Sequence, residues 1–567
     1  MFNTFCCIFL ILSLTSGTVI RDFQVAQPPV VPVYAKRCTV EVFRCEPNFF
    51  WNPHLMTISS HDFANSFVDG PAITQLSPPE DCGPVGSWAA ITLNLTVTTN
   101  GTQFDRLGIF TFHNVEIWRT STFEPTIGDG IVWTYIKDVT QYMPLFTESG
   151  EFLLELDNLI ETGLDGIYFT TVAATYFESS AEYPPAEKAD IIIPISTLSN
   201  TTADDASVPP AFSLNITVPN NTVAIYAEIF ASGNGLEEDW FFNVPDEFFS
   251  NISPNITSPH DGFREVRLLI DGLVAGVAFP YITVFSGGFI PSFWRPIGSY
   301  GTAELPTYFV DVTPFVPLLT DNSPHNFTLD VVSAEEKHTI NSNWYVSGIL
   351  QVILDTSFEP TIGNMTVHSA SNYADTSITG FVEDFGQFNA TVTAMRNIHI
   401  EADILSGSGQ LTHVIWTQDL QFLNIQTYRN NGLLATLKQT STGNSSSTHN
   451  GVAVLSDVFS YPFSTNFDYL DETLTNWTSS IDHSYDRILL PNPLRIASTI
   501  NNHQTTDGFF QLGSEKIGNF GNGTNNNTFS YSDVKGNTYT RSVNAINSNF
   551  NDTIAIPLDE IGGNLAH

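Results

Sequence analysis

The 567-residue chain sets 59 acidic against 20 basic residues, a formal net charge of −39 at pH 7, with 42% hydrophobic and 13% aromatic residues. That hydrophobic share supplies core for three or four domains and excludes a disordered chain. So few Lys and Arg leave no basic patch to neutralise phosphates, which excludes nucleic acid and an anionic membrane surface as partners.

The chain opens on an apolar run, Cys6-Cys7-Ile8-Phe9-Leu10-Ile11-Leu12, followed by the small residues Ser16-Gly17-Thr18. Residues 1–18 read as a secretory signal peptide that lacks the usual basic start. The run is too short to span a bilayer, and no later stretch reaches the roughly 18 uninterrupted apolar residues that a transmembrane helix needs. The expectation is a mature protein secreted to the extracellular space or the secretory-pathway lumen, without membrane insertion. About fifteen Asn-x-Ser/Thr sequons, among them Asn94, Asn215, Asn326, Asn389 and Asn522, agree with an exported glycoprotein. Two of the five Cys fall in the signal, leaving Cys38, Cys45 and Cys82, enough for one disulfide and one leftover thiol.

From residue 19 to about 182, short apolar runs alternate with Gly, Pro, Asn and Thr: Ile91 to Val97, Leu107 to Phe112, Gly130 to Tyr135, Phe152 to Leu156 and Tyr168 to Ala173. A second round over 183–356 takes in Phe212 to Val218, Val223 to Phe230, Val266 to Ile270, Tyr281 to Phe285, Tyr308 to Val312, Phe327 to Val332 and Tyr345 to Leu354. Period-two patterning with frequent turn residues predicts an all-β chain of two tandem β-sandwiches. The remainder, 357–567, reads as a mostly β region, with Asn430-Asn431-Gly432 as a hairpin turn and loops expected over 519–551, where Asn, Gly, Ser and Thr crowd. Phe123 to Gly128 recurs verbatim as Phe358 to Gly363, at non-equivalent places, and reads as a recurrent turn.

No Walker loop, nucleophile elbow, zinc-protease motif or paired-Cys cluster is present, and the His residues lack ligand spacing, so neither metal nor cofactor is expected. What remains is carboxylates beside aromatics. Asp105 and Arg106 stand at the mouth of the strand Leu107 to Phe112, Asp157 ends a strand, and Glu237-Glu238-Asp239 follows a Gly-rich turn before Trp240. On spacing alone such groups are more often surface ion pairs or acidic turns.

Longer stretches decide differently. Gln103-Phe104-Asp105-Arg106, then Glu116, Arg119 and Phe123-Glu124-Pro125-Thr126, then FASGNGLEEDWFFNVP and FREVRLLIDGLVAGVAFPYITVFSGGFIPSFWRPIGSYG resemble, in order, the signatures of the peptide-N4-(N-acetyl-β-glucosaminyl)asparagine amidase A family of plants and fungi. The resemblance covers roughly residues 35–355. It implies two jelly rolls with the active site at their interface and an amidase that releases N-glycans from glycopeptides or unfolded glycoproteins, turning Asn into Asp. It also favours a Cys38–Cys82 disulfide. In the similar bacterial enzymes an E-W-D-R strand falls on Gln103 to Arg106 and implies Asp105 as general base. Their second acid falls on Glu238, with Glu237 one step away. Their third falls on Asp157, one methylene shorter than the Glu it replaces, and a Trp of that motif falls on Leu159. The resemblance further implies Arg106, Glu237 and Arg295 as hydrogen-bonding groups for substrate, while Trp240 and Trp294 stand equally for sugar-stacking surfaces and for core. A secreted carbohydrate-binding or cell-wall protein without turnover, or a glycoside hydrolase, are the competing readings.

Overall fold

The computed structural model describes residues 20–29, 35–44, 63, 66–125, 130–490, 497–513, 519–547 and 549–556. The signal-like start and Cys45 lie outside the described residues. The chain is all-β, and no helix among the described residues is long and apolar enough to cross a membrane.

The first sandwich pairs a five-stranded sheet, ordered Ile20–Asp22, Gly130–Asp138, Ala90–Asn100, Ile167–Phe177 and Arg37–Arg44, with a four-stranded one, ordered Ala72–Leu76, Gly150–Leu156, Leu107–Phe112 and Val115–Ser121. Alternating inward residues, including Trp88, Phe110, Trp118, Trp133, Tyr168 and Tyr176, fill the space between them. Cys38 and Cys82 are joined with Cα atoms 5.8 Å apart, as the family resemblance implies. Cross-linking residues 44 positions apart contributes about 4 kcal/mol by restricting the unfolded chain.

The second sandwich repeats the plan. One sheet runs Ile191–Ile195, Asn343–Leu354, Thr222–Asn234, Tyr308–Asp311, with Ala206–Val208 also on Asn343–Leu354, and the other runs Phe212–Ile216, His325–Val332, Glu265–Ile270, Leu273–Ala278. The expected strand at Tyr281 to Phe285 is instead a loop. Tyr281 there packs its ring on Tyr461, His483 and Tyr485, so the segment is held by side-chain stacking in place of a ladder.

Buried polar groups lock the two sandwiches together. Arg119 on Val115–Ser121 is gripped by Glu116 through two contacts of 2.8 Å and donates across the junction to Ser232 Oγ at 2.9 Å and Tyr345 O at 2.6 Å. Glu228 of the second sandwich accepts from Gln141 Nε2 at 3.0 Å and Tyr142 Oη at 2.8 Å of the first. Buried charges satisfied only in one docking register fix that register.

The C-terminal region is one eleven-stranded antiparallel sheet from Ile362–Ala370 to Asn549–Ile556, and its inner face packs on the second sandwich. Trp416 Nε1 donates to Ala275 O at 3.0 Å and Gln418 Nε2 to Val277 O at 2.9 Å. Asn430, Asn431 and Gly432, with φ of 54°, 57° and 86°, make the tight connection between Leu411–Arg429 and Leu434–His449. The loops expected over 519–551 are strands in large part: Phe520–Asp533, Thr538–Ile546 and Asn549–Ile556. Their inward positions hold Asn where a core strand ordinarily holds Val or Ile. Asn525 Nδ2 donates to Phe293 O at 2.8 Å, Asn527 Nδ2 to Asn502 Oδ1 at 2.7 Å, and Gln504 Nε2 to Asn525 Oδ1 at 3.0 Å, so the sheet buries a satisfied polar ladder. The two copies of the repeated hexapeptide begin in unlike settings, since Phe123 is fully buried and Phe358 is 92% exposed.

Candidate active site

Where the sandwiches meet, a cavity of about 330 Å³ opens between strand ends. Its lining includes Asp105, Arg106, Glu155, Asp157 and Leu159 from the first sandwich, and Glu238, Phe285 and Tyr345 from the second, with Asp205 from the segment just before Ala206–Val208.

Asp105 sits in the turn before Leu107–Phe112, and its neighbours fix that turn. Buried Gln103 donates through Nε2 to Leu159 O at 3.0 Å, while its Oε1 accepts from Phe104 N at 3.0 Å and Arg106 Nη2 at 2.8 Å. Tyr168 Oη donates to Phe104 O at 2.7 Å. Asp157 is fixed in the same manner by the next residue, since Asn158 Nδ2 donates to Phe63 O at 2.7 Å and Gly166 O at 3.0 Å. Glu238 follows the short turn Gly235–Glu237, with Gly235 N donating to its Oε1 at 3.2 Å.

Asp105 crosses the junction. Its Oδ1 accepts from Gly287 N at 2.8 Å, in the second-sandwich loop that also carries Phe285. A β-carbon on Gly287 would lie 2.7 Å from Asp105 Oδ1 and 2.6 Å from Glu124 Oε1, closer than side-chain carbons approach, so any larger residue there would displace one or both carboxyl groups. Trp294 Nε1 holds the turn by donating to Gly288 O at 3.0 Å.

Electrostatically the cavity is short of positive charge. Burial raises the Asp105 pKa, against the Gly287 amide and Arg106, which lower it. The protein around Glu238 and the Asp105 and Asp239 carboxylates push its pKa up to about 7. Glu155 also reaches about 7 through burial and its acidic neighbours, Asp205 about 6, and burial raises Asp157 against Arg106. Carboxyls whose proton affinity burial and acidic neighbours raise within one cleft are candidates for acid and base. Among the described residues no cluster of His, Cys, Asp and Glu is arranged to hold a metal ion.

The cavity gathers Asp105, Arg106, Asp157 and Glu238, and leaves four expected residues outside. Glu237 is 0% exposed, bound by Arg264 at 2.5 and 2.7 Å and by Trp344 Nε1 at 2.8 Å, and these contacts lower its pKa. It belongs to the second sandwich's interior, which corrects its reading as a substrate contact. Trp240 packs against Trp344 in that core, and Trp294 is buried behind the Gly287-Gly288 turn, so neither offers a face to a sugar. Arg295 pairs with Glu124 at 3.5 Å and donates to Pro125 O at 3.2 Å away from the cavity lining. Sequence reasoning passed over Glu155, Asp205, Phe285, Tyr345 and Gly287. Glu155 was findable, because it stands in the strand Gly150–Leu156, two residues before Asp157, which follows that strand directly, and alternate residues of an extended chain share a face.

An all-β pair of sandwiches thus meets at a cleft into which several carboxyl groups and one arginine converge. Residues 32–371 match the family described as "Peptide N-acetyl-beta-D-glucosaminyl asparaginase amidase A", and residues 389–463 match the "PNGase_A C-terminal domain". The chain belongs to this peptide N-acetyl-β-D-glucosaminyl asparaginase amidase A family. It is similar to the curated "Peptide-N4-(N-acetyl-beta-glucosaminyl)asparagine amidase A" of Prunus dulcis, 30% identical over 380 residues, which cover 64% of this chain and 64% of that relative's length.

Proposed function

We propose that the chain is a secreted amidase that hydrolyses the N4-(N-acetyl-β-glucosaminyl)asparagine linkage of glycopeptides or unfolded glycoproteins, releasing the N-glycan and leaving Asp in place of Asn. The observation that carries this reading is the convergence of Asp105 and Glu238 on one cavity, the first held by a backbone amide and the second raised to about 7. Asp105 takes a proton from the attacking water as its oxygen bonds to the amide carbon. Glu238 delivers its proton to the amide nitrogen as the C–N bond breaks, so the sugar departs as a neutral glycosylamine. Arg106 faces the charge that develops between them. Asp157 and Glu155 hold sugar hydroxyls, and Tyr345 and Phe285 supply the aromatic surface that Leu159 does not. The test incubates the protein with a denatured glycopeptide and weighs the peptide. A gain of about one mass unit over the never-glycosylated peptide marks conversion of amide to acid. A peptide that keeps one N-acetylglucosamine marks a glycosidase, and an unaltered glycopeptide marks a binding protein.

The pH dependence has a defined sign. Glu238 donates only while protonated, so kcat/KM falls as pH rises through about 7, the value to which its surroundings push it. Rates measured from pH 4 to 9 check this, and an activity that rises across neutrality removes Glu238 as the acid. Gly287→Ala places a methyl group against Asp105 Oδ1 and Glu124 Oε1. Displacing the base by a fraction of an ångström is expected to lower turnover by about tenfold or more. Wild-type turnover in that variant would mean the turn does not set the position of Asp105.

A further inference from the structure

Glu124 has no part in the chemistry described above. It follows the strand Val115–Ser121, outside the cavity lining, and its backbone N–H donates to Ser286 Oγ at 2.9 Å. Its Oε2 lies 3.5 Å from Arg295 Nη2. Its Oε1 and Asp105 Oδ1 close on the same face of Gly287, at 2.6 and 2.7 Å from where a β-carbon would sit. A loop from the second sandwich thus presents no side chain at a point where two carboxyl groups of the first come together.

We propose that Glu124 is a positioning residue for Asp105: it carries a proton while Asp105 is ionised, and as a neutral partner it keeps the Asp105 carboxylate seated on the Gly287 amide.

Two carboxyl groups confined in this way do not both ionise without strong repulsion, so one keeps its proton. The charged and titratable groups around them are Arg106 and Tyr168 from the first sandwich and Glu238, Asp239 and Arg295 from the second. The donors divide unequally. Asp105 has the Gly287 amide at 2.8 Å together with Arg106, whereas Glu124 faces Arg295 at 3.5 Å. Asp105 is therefore the better place for the negative charge. Burial and the Asp105 charge push Glu124 up to about 7, so it stays neutral below that pH. Were Glu124 to ionise while Asp105 is charged, repulsion would drive the Asp105 carboxylate off the amide and spoil its aim at the water. The role rests on the amidase reading of Asp105.

The full chain with Glu124→Gln, which keeps shape and neutrality, and with Glu124→Ala, which keeps neither shape nor partner, separates this role from mere packing. At pH 5 Glu124→Ala is expected to lose about tenfold or more in turnover, with Glu124→Gln recovering most of that loss. Above pH 7 the wild-type kcat/KM falls with the loss of two protons, from Glu124 and Glu238, and that of Glu124→Gln with the loss of one. Parallel pH profiles, or a Gln variant no better than the Ala variant, overturn the proposal. Infrared titration of the protonated carboxyl band reads the pair without turnover. The wild-type-minus-Gln difference is expected to carry one carboxyl band that vanishes near pH 7, and a flat difference overturns the pairing. A wild type that shows the band but releases no glycan would instead overturn the amidase reading.

Discussion

Asp105→Asn is expected to lower glycan release about a hundredfold or more, the loss typical of removing a general base. Asn has nearly the same shape as Asp and retains an oxygen able to accept from Gly287 N, the contact of 2.8 Å that ties Asp105 to the second sandwich. The change therefore removes the basic oxygen and little else. Glycopeptide affinity should survive, because the sugar contacts assigned to Asp157, Glu155 and Tyr345 are untouched. Single-turnover release and equilibrium binding, measured on one preparation of each protein, separate the two effects. If the variant binds and releases as the wild type does, the amidase class stands and Asp105 is not at its centre. If binding also collapses, the residue serves the junction between the sandwiches more than the chemistry.

The parts of the site that sequence made visible are those where chemistry and local backbone coincide. Gln103, Asp105 and Arg106 are close in sequence because they share one turn: Gln103 accepts from Arg106 Nη2 and Phe104 N, and the turn aims Asp105. The motif is thus a folding unit as well as the proposed reacting one. What stayed hidden depends on contacts between distant segments. Nothing local distinguishes Gly287 from other turn glycines, since its need for no side chain comes from Asp105 and Glu124, more than 160 positions away. For Trp240 and Trp294 the sequence leaves sugar platform and core equally open, and tertiary packing settles them in the core. The tail over 519–551 reads as loops in the sequence for a related reason, although the C-terminal region as a whole reads as β. Strand prediction weighs apolar alternation, and Asn502, Gln504, Asn525 and Asn527 hide it by burying amides that satisfy one another across strands.

Glu237 and Glu238 make the sharpest contrast, because adjacent residues of one kind are expected to fail in opposite ways. Glu237→Gln leaves the Arg264 guanidinium, 0% exposed, without the carboxylate that binds its Nε at 2.5 Å and its Nη2 at 2.7 Å. Stranding a buried charge costs about 3–5 kcal/mol, enough to lower the unfolding midpoint of the second sandwich by roughly 10 °C. The sign with pH follows from the direction of the shift. These partners lower the Glu237 pKa below its ordinary 4.5, so its stabilisation is fully present above that value and is lost as pH falls through the lowered pKa. The stability gap between wild type and Glu237→Gln should accordingly be widest at pH 5 and above and should close in stronger acid. Glu238→Gln removes no such partner. It should unfold close to the wild-type temperature while glycan release falls about a hundredfold, as loss of a general acid requires. Thermal scans and release assays on both variants across pH 3–7 decide the matter. A Glu238→Gln protein that unfolds early, or a Glu237→Gln protein that keeps its stability and loses only turnover, would reverse the assignment of the two acids.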